Sequence, residues 1–186
     1  MELNGKDDHS DRSLSDLPDG ILEHILSYLP TKIAVRTSVL SRRWEFLWTS
    51  LKNLEFYEHH IFNVCGVPCI PEVGRRNRKL FMDFVDRVLL LNDVRRLEKF
   101  SLACKVKDDV SRIETWMLAA IRRNPKELLI GFHAREELER DEVLTVPHSW
   151  FSYEELEVLK VDIGPGFHLP FPNSQFRLPN LKRTSS

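Results

Sequence analysis

The chain has 186 residues, of which 42% are hydrophobic and 30% are charged, a balance typical of a folded protein that stays in water. Its 27 basic and 28 acidic side chains leave a formal net charge of −1, so no overall field attracts nucleic acid or an anionic membrane. We therefore expect no nucleic acid and no membrane among its partners. Three cysteines without an export signal predict reduced thiols, and so a location in the nucleus or the cytoplasm.

A block of short helical patterns follows a polar leader at residues 1–12, which we expect to be disordered. Pro18 and Asp19 suit the first turn of a helix, where a missing N–H is tolerated and an acidic side chain complements the helix dipole. The apolar residues behind them recur at helical spacing: Ile21, Leu22, Ile25, Leu26 and Leu29. Pro30 ends this pattern, so a first helix is predicted over residues 18–29.

Two further helices are predicted before the block ends. Thr31 is a candidate N-cap for a brief second helix, and Ser41 is one for a third. The third helix is amphipathic, because four apolar residues fall at i, i+3, i+4 and i+7: Trp44, Leu47, Trp48 and Leu51. Residues 54–57 then have the composition of a strand or an extended exit. A unit this small buries too little of its own surface to enclose every apolar side chain, so we expect it to need a protein partner.

Residues 58–78 contain two prolines and two glycines without sustained periodicity, which predicts a linker or loop. The basic cluster Arg75–Lys79 at its end has a nuclear localisation signal as an alternative interpretation. Four potential metal ligands lie here, namely His59, His60, Cys65 and Cys69. Their spacing fits no familiar zinc pattern, so we expect no metal.

Helical and strand patterns alternate over residues 79–186. Apolar periodicity predicts helices over residues 80–91 and 111–121. The predicted strands between and after these helices share one sequence pattern: Leu97-x-x-Phe100-x-Leu102, Pro125-x-x-Leu128-x-Ile130 and Leu156-x-x-Leu159-x-Val161. Their offsets of 28 and 31 residues lie at or just above the leucine-rich-repeat range of about 20–29 residues. We therefore predict a short irregular leucine-rich-repeat solenoid of about three units, plus an incomplete one at Leu181 where the array is cut off.

The first block resembles the plant-type F-box over about 45 residues. The resemblance rests on Leu17-Pro18-Asp19-Gly20-Ile21-Leu22-Glu23-His24-Ile25-Leu26-Ser27-Tyr28-Leu29-Pro30, on Val35-Arg36-Thr37-Ser38-Val39-Leu40-Ser41-Arg42-Arg43-Trp44, and on Leu47-Trp48. Residues 13–57 are therefore identified as an F-box, and the chain as a plant-type F-box protein with leucine-rich repeats, of the FBD-like kind. The expected fold is a three-helix F-box followed by the repeat solenoid, an α+β chain with an α/β repeat part.

This family resemblance implies two binding surfaces. The F-box is expected to bind the Skp-type linker of an SCF (Skp-cullin-F-box) ubiquitin ligase, through residues assigned by motif match: Leu17, Pro18, Ile21, Leu22, Ile25, Leu26, Pro30, Leu40, Trp44 and Trp48. The repeats are expected to bind a protein substrate. Its candidate contacts are the strand side chains that alternate with the core positions: Lys99, Ser101, Glu127, Leu129, Val158, Lys160 and Asp162.

The sequence does not favour an enzyme. It has no Gly-x-Gly-x-x-Gly, no P-loop, no Gly-x-Ser-x-Gly and no His-Glu-x-x-His, so we expect no catalytic residue and no cofactor. Cys104 falls within a predicted strand and is expected to be packed. The expected function is a substrate adaptor of the ligase. The alternative is a regulatory or decoy F-box protein, whose shortened array occupies the linker without recruiting a substrate.

Overall fold

The computed structural model describes residues 14–58, 71–106, 109–134 and 155–163. Its α-helices are α1 (Asp19–Ser27), α2 (Thr31–Arg36), α3 (Pro71–Leu91) and α4 (Val110–Ile121). Its strands are β1 (Asn53–Tyr57), β2 (Lys99–Val106), β3 (Glu127–Ala134) and β4 (Val158–Ile163). Short 3-10 helices lie at Leu14–Asp16, Thr37–Val39, Arg42–Trp44 and Leu47–Ser50. None of the helices in these ranges is both long and apolar enough to cross a membrane.

The four strands form one parallel sheet in the order of the chain. Its register aligns the equivalent positions of the repeated sequence pattern. Leu54, Phe100, Leu128 and Leu159 form one row, and Phe56, Leu102, Ile130 and Val161 form another. β1 thus carries a fourth copy of the sequence pattern, Leu51-x-x-Leu54-x-Phe56, although this segment was predicted only as a strand or an extended exit. A helical N-terminal part with a small parallel sheet and helices confirms the α+β class, while the solenoid stays a prediction.

One face of this sheet forms the core with α3 and α4. Phe56 of β1 packs edge-on against Phe84 of α3, with ring centroids 6.0 Å apart, and lies 5.9 Å from Phe100 of β2. Phe81 of α3 meets Trp116 of α4 edge-on at 6.1 Å. Burial of each such side chain contributes roughly 1.5–3 kcal/mol. The same buried cluster continues into α1, so the N-terminal helices and the sheet share one core.

The predicted third helix is replaced by two 3-10 turns, so the three-helix description of the F-box is wrong at this point. Phe46 interrupts the helical path with φ −120° and ψ 0°. The hydroxyls of Thr49 and Ser50 donate to the carbonyls of Phe46 and Leu47 at 2.8 Å. These side chains occupy acceptors that a continuing helix would use. The apolar stripe survives the change, since all of its members are buried: Trp44, Leu47, Trp48 and Leu51.

Thr31 does not cap α2, because Pro30 occupies the N-cap position. The Thr31 side chain is buried, and its Oγ1 accepts a hydrogen bond from the backbone N–H of Glu55 at 2.8 Å. This bond places α2 against the outer edge of β1. An edge N–H that would otherwise invite pairing with another chain is therefore satisfied within the molecule.

Residues 71–78, predicted from the sequence to be a loop, are helical. α3 begins at Pro71, a residue suited to the first helical position, and runs without interruption through the basic cluster. Arg78 within this segment pairs with Glu58 and Asp109, a tertiary contact that apolar periodicity does not register. The domain boundaries stay a prediction. The leader, His59, His60, Cys65, Cys69 and the incomplete last repeat lie outside the described residues.

Candidate functional site

Helix α1 carries two apolar stripes. The inner stripe, Leu22 and Leu26, is fully buried in the core. The second stripe, here called the outer stripe, consists of residues at i, i+3, i+7 and i+10: Pro18, Ile21, Ile25 and Tyr28. Ile21, Ile25 and Tyr28 are 49%, 37% and 75% exposed. Apolar residues grouped on one exposed helix face are typical of a protein-binding surface.

The aromatic end of the outer stripe has a defined orientation. The ring of Tyr28 packs edge-on against His24, with centroids 5.0 Å apart. Its hydroxyl lies 3.2 Å from Nε2 of His24, within hydrogen-bond distance. A side chain that is already ordered loses less conformational entropy when a partner covers it. Tyr28 is therefore well placed to be an energetic anchor. It is not among the residues predicted from the sequence, although it continues the spacing of Pro18, Ile21 and Ile25.

Nine of the ten predicted linker-binding residues fall into two groups. Leu22, Leu26, Trp44 and Trp48 are core residues, and the two indoles are only 5% and 4% exposed. Leu17 is half-buried, and the remaining five are exposed: Pro18, Ile21, Ile25, Pro30 and Leu40. The structure thus brings the first group inside the module and leaves the second on its surface. Other exposed apolar residues of this part were not predicted: Leu14, Tyr28, Ile33, Val39 and Phe46.

The seven predicted substrate-binding residues lie together on one face of the sheet, opposite the core. The register places Lys99 beside Glu127 and Glu127 beside Val158. A second row contains Ser101, Leu129 and Lys160, and Asp162 follows in a third. We call these seven residues the sheet face. Lys160 and Asp162 are exposed, whereas Ser101 is buried and donates its hydroxyl hydrogen to Tyr57 Oη at 2.9 Å.

A polar groove of about 390 Å³ lies where the strands begin, and two members of the sheet face line it, Lys99 and Glu127. Lys99 Nζ lies 2.5 Å from Glu55 Oε1, and this hydrogen bond raises the pKa of Lys99. Lys126 Nζ lies 2.7 Å from Glu98 Oε2 in the same groove. Charges of both signs therefore alternate here.

In the described ranges, no three His, Cys, Asp or Glu side chains converge as metal ligands would.

Comparison with known proteins identifies the N-terminal part. Residues 14–56 match the family model of the F-box domain, so the chain carries an F-box there. Its curated homologues are F-box and F-box/LRR-repeat proteins of Arabidopsis thaliana, which confirms the family resemblance. No solved structure matches the chain.

Three of these relatives show the extent of the similarity. F-box/LRR-repeat protein At3g59190 is 42% identical over 69% of this chain and 32% of its own length. Putative F-box protein At1g58310 is 35% identical over 91% of this chain and 34% of its own length. F-box protein At4g27050 is 39% identical over 85% and 35%. The chain thus spans about a third of the length of the curated relatives it matches.

Proposed function

We propose that this chain is a substrate adaptor of an SCF-type ubiquitin ligase. F-box proteins generally have this role, and the F-box domain generally binds the Skp-type linker of cullin ligases. The observation that carries the proposal is the outer stripe. A helix whose inner stripe already fills the core, and which still exposes Ile21, Ile25 and Tyr28, has apolar surface left for a partner. Ubiquitin transfer itself falls to other subunits of the ligase.

The proposed linker contact consists of exposed residues only. Pro18, Ile21 and Ile25 form its centre, and Tyr28 extends it along the helix. The two tryptophans act from inside, because Trp44 and Trp48 fix the turns against which α1 packs. Hot spots are commonly well-packed aromatic and apolar anchors near the middle of an interface, which fits Ile25 and Tyr28.

The sheet face is the proposed substrate surface. The four strands share one sequence pattern and are aligned in a parallel register. This arrangement supports a leucine-rich-repeat array, in which strands line one binding face. Its partner is proposed to be a protein segment with polar and charged groups of both signs, since lysines and glutamates alternate across Lys99, Glu127 and Lys160. We also propose that the chain is located in the nucleus or the cytoplasm, because its predicted reduced thiols are typical of these compartments.

Binding of the purified chain to a purified Skp-type linker, measured by isothermal titration calorimetry, tests the proposal. The double variant Ile21→Glu, Ile25→Glu places two charges on the outer stripe and should weaken binding at least about thirtyfold, the loss of one strong hot spot. Circular dichroism should show an unchanged fold, since both side chains are already solvent-accessible.

The matched control is Leu90→Glu, Leu118→Glu, which charges two exposed leucines of α3 and α4 outside the F-box. It should leave linker affinity within about twofold of the wild type. Absence of binding by the folded wild-type chain would refute linker docking. Equal loss in both double variants would refute the outer stripe as the contact.

A further inference from the structure

Strand β1 belongs to the F-box and to the sheet at once. The F-box match ends at residue 56, which is the fourth residue of this strand. Leu54 and Phe56 pair with Phe100 and Leu102 of β2, and all four side chains are buried in the common core. Removal of the sheet would therefore expose the apolar side chains on which the end of the F-box rests.

A buried asparagine joins the two parts a second time. Asn92, at the end of α3, is 3% exposed. Its Nδ2 donates to the carbonyl of Thr49 at 2.8 Å and to that of Leu51 at 3.0 Å. The next backbone N–H, of Asp93, donates to Thr49 as well, at 3.2 Å. Both acceptors lie at the end of the last 3-10 turn of the F-box, so the end of α3 is held directly on it.

Arg123 extends this connection to α4. Its Nη2 donates to the carbonyls of Leu89 and Asn92 at 3.0 and 3.1 Å, and its Nη1 to that of Ala119 at 3.4 Å. A guanidinium at the C-terminal ends of two helices complements the negative ends of both dipoles. A continuous series of hydrogen bonds therefore runs from Thr49 in the F-box through Asn92 and Arg123 to α4.

We infer that the F-box of this chain is not an autonomous module but forms one cooperative unit with the sheet, and that Asn92 is the positioning residue at their junction. If the proposed function holds, the outer stripe and the sheet face keep a fixed relative orientation, so a substrate is presented to the ligase at a set distance and angle. That consequence rests on the proposed function, whereas the cooperative unit is a property of the chain alone.

Amide hydrogen exchange of the full chain tests the cooperative unit. Ile113→Val removes one buried methylene in α4, which should raise exchange of the β3 amides about two- to twelvefold. The exchange rate of the α1 amides in the F-box should rise by the same factor. The control Leu118→Ala, at an exposed position of the same helix, should change neither set. Met117→Ala repeats the test with a larger step. Faster β3 exchange with unchanged α1 exchange would overturn the inference.

The junction is tested in the same experiment by Asn92→Ala. Loss of its two bonds should destabilise the whole unit and also allow the F-box to open by itself, so β3 exchange should rise about tenfold and α1 exchange by a clearly larger factor. Asp93→Ala is the control, because it keeps the backbone N–H bond. An equal rise in both elements, or no rise in either, would remove the positioning role from Asn92. No linker is present, so a failure of linker docking would not affect these outcomes.

Discussion

Arg43 donates two hydrogen bonds to Oδ1 of Asp19, from Nε at 2.9 Å and from Nη2 at 2.7 Å. The same Nη2 also reaches the carbonyl of Leu17. A residue of the 3-10 turn Arg42–Trp44 thereby fixes the first turn of α1, where the outer stripe begins. Both partners are substantially exposed, so the contact orients the helix more than it stabilises the fold.

We expect Arg43→Met to lower the free energy of unfolding by about 0.5–1 kcal/mol, the range for exposed ion pairs and single hydrogen bonds. Urea denaturation followed by tryptophan fluorescence measures this change. Arg42→Met, at the adjacent exposed position, is the control and should change stability by less than about 0.5 kcal/mol. Identical effects of the two variants would contradict a specific role for the Arg43–Asp19 pair.

Trp48 should contribute to the stability of the fold, since it lies outside the proposed linker contact. It is buried in the core, and its Nε1 donates to the carbonyl of Glu45 at 3.1 Å. Trp48→Ala is expected to cost about 3–5 kcal/mol through the cavity it leaves. Calorimetric melting should therefore show a clear decrease in Tm. Trp48→Phe, which keeps an aromatic ring but loses the donor, should cost less. A Trp48→Ala chain that melts like the wild type would show that the indole is not part of the core.

The sequence was sufficient to predict the regular parts of this fold. Apolar periodicity predicted α1, α4 and most of α3. The repeated sequence pattern predicted three strands, whose equivalent residues lie in one register. The motif identified the F-box itself. These features are local, and each is set by the spacing of apolar residues along a single element.

Three-dimensional features of the candidate site were not predictable in this way. Both stripes of α1 contain large aliphatic residues, so hydrophobicity alone does not tell which one faces the core. Ile25 and Leu26 are adjacent and equally apolar, yet only Ile25 remains on the surface. In the segment 71–78, Arg78 forms ion pairs with the distant residues Glu58 and Asp109, which apolar periodicity does not register. In the 3-10 turns around Phe46, the hydroxyls of Thr49 and Ser50 bond to backbone carbonyls, which the spacing of apolar residues does not show either.

Arg78 is the basic residue of its cluster with the largest expected effect on stability. Its Nη2 lies 2.5 Å from Asp109 and its Nη1 lies 3.1 Å from Glu58, and all three side chains are largely buried. Burial acts to lower the pKa of Arg78, but the hydrogen bond to Asp109 and the two negative charges raise it on balance. Arg78→Met would remove the cation that both carboxylates contact, at a cost of about 3–5 kcal/mol.

Chemical denaturation compares this variant with Arg75→Met, which removes an exposed arginine from the preceding turn of α3. The control should stay within about 0.5 kcal/mol of the wild type. If both variants lost stability equally, the cluster would act only through its net charge, and the ion pairs of Arg78 would not be the cause.

Cys104 predicts a pH dependence of stability. It is a buried free thiol, and its burial, together with the nearby charge of Glu58, raises its pKa far above the ordinary range. In the unfolded chain the thiol ionises near pH 8.5, whereas in the folded chain it stays protonated. Its contribution to the stability of the folded state is therefore complete below pH 8.5 and decreases progressively above it. Between pH 7.5 and 9.5 the loss should be about 1.4 kcal/mol. Urea denaturation at both pH values should therefore show the stability gap between the wild type and Cys104→Ala narrowing by that amount. A constant gap would mean that the folded thiol ionises as readily as the unfolded one.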